Sequence, residues 1–179
     1  MERIILFAFI SLTICSYSQS NKFKEQVSIV SSFKKDSYKS PKSILFVFND
    51  SGHLANYYAE LYKDLKKTLQ KEKIKVGSEF NFSNVKDFAN DISNAPKNKE
   101  KRSNFEFICN ITTEHYNYPE NWENYNHLKN RKTQHGLIFT MYNKQNENVL
   151  KLKLFIQSYY TIATKTKETS ILFYEFIRL

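Results

Sequence analysis

Glycine is scarce in this chain: 179 residues hold only Gly52, Gly77 and Gly136. A phosphate-cradling P-loop and a dinucleotide fingerprint each need closely spaced glycines, because the backbone must approach the phosphate without a Cβ in the way. Neither can be assembled from glycines so far apart, so nucleotide-dependent chemistry is not expected, nor is a cofactor. Cysteine is equally sparse, at Cys15 and Cys109. No disulfide framework can form from them, which argues against a stapled eukaryotic extracellular module. Arginine supplies just four of the 27 basic side chains: Arg3, Arg102, Arg131 and Arg178. Arginine is the residue that reads phosphates and base edges in fork geometry. The remaining positive charge is lysine spread along the chain, a pattern of solvated surface with weak attraction to anions, so no specific nucleic-acid partner is expected. The histidines, His53, His115, His127 and His135, show no metal-ligand spacing. Aspartate, with five residues, is too thin for a calcium or magnesium cage. No metal site is expected.

Aromatic side chains, by contrast, are plentiful: 15 Phe, 12 Tyr and one Trp. They allow a core to be filled by few residues. The amino-terminal residues have a further character. After Arg3, an apolar run extends from Ile4 to Cys15, broken by Ser11 and Thr13. It is shorter than the roughly 20 residues a membrane-spanning helix needs, and it matches the apolar region of a signal peptide. Ser16-Tyr17-Ser18 places small residues where a signal peptidase reads. Residues 1–18 are therefore read as a cleaved signal peptide, giving a secreted or periplasmic chain that starts at Gln19. The alternative is a lipid anchor at Cys15, disfavoured because Ile14 is bulky where a small residue should stand. Removing residues 1–18 takes away Arg3 and Glu2 and leaves the net charge at +9. No later stretch is apolar enough to cross a membrane as a helix. One mature cysteine and export together suit a bacterial envelope.

Residues 19–41 form a polar lead-in whose weak apolar set (Val27, Ile29, Val30, Phe33) suffices for a short strand or helix. Residues 42–179 read as a single globular domain. Ile44–Phe48 is an unbroken apolar run, the pattern of a strand buried on both faces. Asn49-Asp50-Ser51-Gly52 offers turn and helix-capping chemistry. Leu54, Tyr57, Tyr58, Leu61, Leu65 and Leu69 then recur at helical spacing with lysines and acids opposite. Ile74, Val76, Phe80 and Phe82 alternate as a half-buried strand with Gly77 as its bulge. Strand, helix and strand with short joints make a βαβ unit, so these strands should be parallel. A short helix is predicted over 85–92. A third parallel strand follows, with Phe105, Phe107, Cys109 and Ile111 sharing one face. Leu137–Tyr142 and Val149–Ile156 form an antiparallel hairpin, and Ile171–Leu179 an apolar closing helix. The expected fold is α/β, a mixed sheet of about five strands with three covering helices.

Ser51 stands between a buried strand and a helix, as a hydrolase nucleophile would. The strained elbow needs glycine two residues to either side, whereas Asn49 and His53 occupy those positions. Cys109 in an apolar stripe reads as inert packing. The segment Glu114–Tyr125 has the least ordinary composition, with Trp122 and three tyrosines, Tyr118 among them, beside asparagine and glutamate. Open α/β sheets bind ligands at the carboxyl edge of their parallel strands, where neighbouring connections diverge. That rule joins Asn49, Asp50, Ser51 and His53 with Glu114, His115, Tyr118 and Trp122 as the candidate ligand-binding set. The resulting expectation is a non-enzymatic binding or assembly module of the envelope, acting on an envelope protein or glycan. The alternative is a hydrolase that uses polar groups on the loop after the first strand.

The export reading has a direct test. Intact-mass analysis of protein recovered from its native host should show a chain beginning at or near Gln19. A retained Met1, or a diacylglyceryl group on Cys15, would replace soluble export with anchoring.

Overall fold

The computed structural model describes residues 26–50, 54–82, 101–114, 132–159 and 165–178. These form a mixed α/β architecture, a six-stranded sheet with two helices packed on one face. In chain order the strands are β1 (Gln26–Lys34), β2 (Ser43–Asp50), β3 (Lys75–Phe82), β4 (Phe107–Glu114), β5 (Lys132–Tyr142) and β6 (Asn148–Tyr159). The helices are α1 (Ala55–Lys71), between β2 and β3, and α2 (Thr166–Arg178), after β6. Across the sheet the order is β1-β6-β5-β4-β2-β3. The strand count exceeds the sequence expectation by one, because the polar lead-in supplies β1, which pairs antiparallel with β6. The helix predicted over 85–92 lies outside the described residues.

β2 organises the rest. Residues Ile44 to Phe48 are all essentially inaccessible to water, and β2 pairs in parallel with β3 on one side and with β4 on the other. Ile44, Phe46 and Phe48 point to the helical face, where they meet Tyr58, Leu61, Leu65 and Leu69 of α1 and Phe173 and Ile177 of α2. Phe46 packs edge-on against Phe173 at 5.6 Å, and Phe48 stacks on Phe80 at 4.7 Å. Leu45 and Val47 point the other way, into a smaller buried cluster with Phe105.

Phe105 therefore does not share a face with Cys109 and Ile111, as alternation had suggested. It precedes β4, after a 3-10 turn at Arg102–Asn104, and the chain changes direction before the strand begins. The Arg102 guanidinium holds that turn against β3 with two bonds to Glu79, at 3.0 and 3.1 Å. Gly77 is not a bulge either. It stands opposite Leu45 in an unbroken register from Ser43↔Lys75 to Asp50↔Phe82.

Both helices use the sequence pattern that announces them. The stripe of α1 is buried from Tyr57 to Leu69, while Lys63, Lys66 and Lys67 are exposed. Leu54 occupies its cap position and offers no side-chain acceptor, so neither Asp50 nor Ser51 fills that place. Against α1, α2 is seated by hydroxyls: Thr166 Oγ1 donates to Asp64 Oδ2 at 2.6 Å, and Thr68 and Ser170 share a 3.0 Å bond. The carboxyl end of α2 is closed by the last residue of β1 and the segment after it. Lys34 Nζ, Tyr38 Oη and Ser40 Oγ donate to the carbonyls of Phe176, Ile177 and Arg178 at 2.6, 2.9 and 3.1 Å. Those three carbonyls are among the groups a helix terminus leaves without an internal partner. Burial pushes the Tyr38 phenol well above its ordinary pKa, so it remains a donor.

Core and surface substitutions should separate cleanly on this frame. Phe46→Ala should cost about 3–5 kcal/mol in chemical denaturation, because it empties a site closed by β2, α1 and α2. Lys67→Ala, on the exposed side of α1, should stay within about 0.5 kcal/mol of the unsubstituted protein. Equal losses for the two would contradict the orientation of α1.

Candidate functional site

Because β2, β3 and β4 run in parallel, their last residues, Asp50, Phe82 and Glu114, lie at one edge of the sheet. β5 runs antiparallel to β4, and β6 to β5, so Lys132 and Tyr159 reach the same edge. The chain leaves β2 toward β3 through α1, and leaves β4 toward β5 on the opposite side. Connections that part in this way, at neighbouring carboxyl ends, leave a crevice between the two strands. The switch falls between β2 and β4.

Two of the sequence-selected residues are seen there with their side chains. Asn49 is exposed, and its Oδ1 accepts a 3.2 Å bond from Nδ2 of Asn81 on the adjoining strand. Glu114 pairs with Lys153, whose ammonium crosses β5 from β6 to reach it. Asp50 is placed as the last residue of β2, with its backbone described. Ser51, His53, His115, Tyr118 and Trp122 lie outside the described residues. Asn49, Asp50 and Glu114 are thus at one edge, on neighbouring parallel strands.

Sequence reasoning passed over four groups at the same edge. Asn81 enters through the β2–β3 register, where it stands opposite Asn49; nothing local distinguishes it from other asparagines. Lys153 enters because a glycine intervenes on β5. Glu114 stands opposite Gly136, and the absent side chain leaves a lane between β6 and β4. Gln134 and Gln157 are paired across β5 and β6, the Gln134 amide donating at 3.3 Å. On the helical side, His135 Nε2 lies 3.3 Å from the Tyr57 hydroxyl, with the two rings edge-to-face. His135 had been considered only as a metal ligand, and among the described residues no three His, Cys, Asp or Glu side chains gather as a metal would require.

Electrostatically the edge is mixed. Among the described side chains, amides, the Glu114 carboxylate and the Lys153 ammonium lie on the helix-free side, and a neutral imidazole lies beneath α1. Burial holds the His135 imidazole down at about 4, so it is uncharged at neutral pH. Cys109 is the free thiol of the core, fully buried, and burial raises its pKa far above the range of a usable thiolate. What the described part of the edge provides is hydrogen bonding in both directions and one fixed charge pair.

No protein-family model matches the sequence, and no curated protein matches it. Among solved structures, the chain is similar to the PelC dodecamer from Paraburkholderia phytofirmans in two crystal forms, one of a single-substitution variant. The variant superposes with a TM-score of 0.48 at 9% identity over 80% of this chain and 90% of that one. The other gives 0.48 at 7% identity over 80% and 91%. Likeness at this level says nothing about ligand or assembly. Among the described residues no helix is long and apolar enough to cross a membrane.

The buried imidazole sets a pH dependence of known sign. Unfolded, His135 takes up its proton near pH 6.5; folded, it resists until about 4. Its contribution to stability is therefore complete above the unfolded value and is lost as pH falls through that window, by about 3 kcal/mol in all. Unfolding free energies of the protein and of His135→Phe should differ by a constant above neutrality. Between pH 6.5 and 4 the variant should gain on the parent by about that amount. A difference that stays flat would mean that the imidazole charges without unfolding.

Proposed function

We propose that this chain is an exported, non-enzymatic binding module of the bacterial cell envelope, with its ligand seated at the carboxyl edge between β2 and β4. The observation that carries the reading is the switch point in strand order: β2 and β4 are parallel neighbours, and the strands that follow them in the chain, β3 and β5, lie on opposite sides of the pair. Sheets of this kind take ligands there because the diverging chains cannot fill the gap they leave. The polar groups at that edge suit recognition. Asn49 and Asn81 offer planar amides, each able to donate and accept. Glu114 is neutralised by Lys153, which gives a fixed hydrogen-bonding pair. A protein strand or a glycan, rich in hydroxyl and amide groups, is the ligand such an edge fits. Export rests on the character of residues 1–18.

Titration against purified envelope glycans and envelope proteins tests this reading. Asn49→Ala, Asp50→Ala and Glu114→Ala should each weaken binding about tenfold, on the order of 1.4 kcal/mol. Their circular-dichroism spectra should not change. Full binding by all three would move the ligand elsewhere on the molecule. Turnover of an ester or glycoside panel, abolished by Asp50→Ala, would establish a hydrolase at the same edge instead.

A further inference from the structure

We propose that β1 is a self-pairing edge, and that two copies of this chain join antiparallel along Gln26–Lys34 about a two-fold axis near Val30. β1 is the outer strand on one side of the sheet, so half of its backbone N–H and C=O groups face away from β6. Exposure of large apolar side chains is concentrated there. Among the described residues four are exposed, and three of them are Ile29, Val30 and Phe33, at 49, 56 and 50%. The run Gln26–Phe33 has no charge, glycine or proline. Charge and proline are among the features that normally protect natural edge strands.

The irregularity in β1 presents the apolar groups on both faces. The register with β6 shifts between Ile29 and Ser31. Before the shift, Val27 and Ile29 stand opposite the core residues Ile156 and Leu154; after it, Phe33 stands opposite Lys151 on the helix-free side. A strand laid along β1 would cover both sets, whereas a ligand resting on one face would cover only one.

Charge selects the direction of pairing between two copies. In the sequence, Lys24 and Glu25 precede the run and Lys34, Lys35 and Asp36 follow it; of these, the described ones lie at the carboxyl end of β1. Antiparallel pairing about Val30 holds Lys34 and Lys35 of the two copies at opposite ends of the seam. Parallel pairing would stack lysine on lysine, which is repulsive. Head-to-tail joining to β3 of another copy is also disfavoured. Among the described side chains, that edge exposes Lys75 and Asn81 and none of the exposed large apolar residues. Pairing like with like buries the patch on both copies and closes the assembly. β1 and the β2–β4 crevice are separated by three intervening strand pairings, so pairing and ligand binding can fail independently.

Sedimentation velocity across the micromolar range tests the pairing. The protein should form a dimer, and Val30→Lys should raise the dimer dissociation constant at least about tenfold, because it sets two ammonium groups against each other at the axis. Val30 is exposed, so the melting temperature of the diluted variant should not move. Phe33→Lys, away from the axis, should act in the same direction. Hydrogen exchange of the β1 amides should be slow in the native dimer and quicken in both variants. A native protein that stays monomeric throughout, a dimer that tolerates both substitutions, or an open-ended polymer would each overturn the proposal.

Discussion

A strand that is buried on both faces and hydrogen-bonded on both edges must be surrounded before it is stable, and β2 meets that requirement in every direction. Its alternate residues feed two different clusters. Ile44, Phe46 and Phe48 supply the main core, and Leu45 and Val47 the smaller one. Its parallel neighbours impose long connections, because parallel strands cannot be joined by a tight turn. One of those connections is α1, which lies over the strand it has just left. The divergence at the carboxyl edge has a separate origin: β2 is followed in the chain by β3 on one side of the pair, and β4 by β5 on the other.

The second dependence is less visible in any local pattern. The helix that closes the core, α2, ends against a segment more than a hundred positions earlier, where Lys34, Tyr38 and Ser40 take up its terminal carbonyls. A helix end buried without partners is costly. The polar lead-in therefore does two things. It adds a strand beside β6, and it finishes a helix at the far end of the chain. Lys34 serves both, since it ends β1 while its ammonium reaches the Phe176 carbonyl and sits over the rings of Tyr38 and Phe176. Such ties make β1 part of the sheet despite its exposed side chains.

At the carboxyl edge, the groups that could be named beforehand were those at the ends of strongly patterned strands. Asn49 and Asp50 follow the apolar run of β2, and Glu114 ends the alternation of β4. Asn81, Lys153 and Gln134 could not be named, because each acquires its neighbour through strand register, and register depends on partners distant in sequence. Phe105 shows the complementary failure. Alternation extended one step too far placed it with Cys109, whereas the turn held by Arg102 and Glu79 puts it on the opposite face. A period of two predicts the face of a residue only while the strand continues.

Periodicity and composition by themselves determined the α/β class, five of the six strands, α1 and α2, and the parallel βαβ unit, because apolar spacing is a local property that burial must respect. Only the tertiary structure decided the order of the strands, the role of the lead-in, the cap on α2 and the meeting of Asn49 with Asn81 and Glu114 with Lys153. Each of these joins residues far apart in the chain. Their energies come from pairing and desolvation, which exist only once the sheet has been assembled.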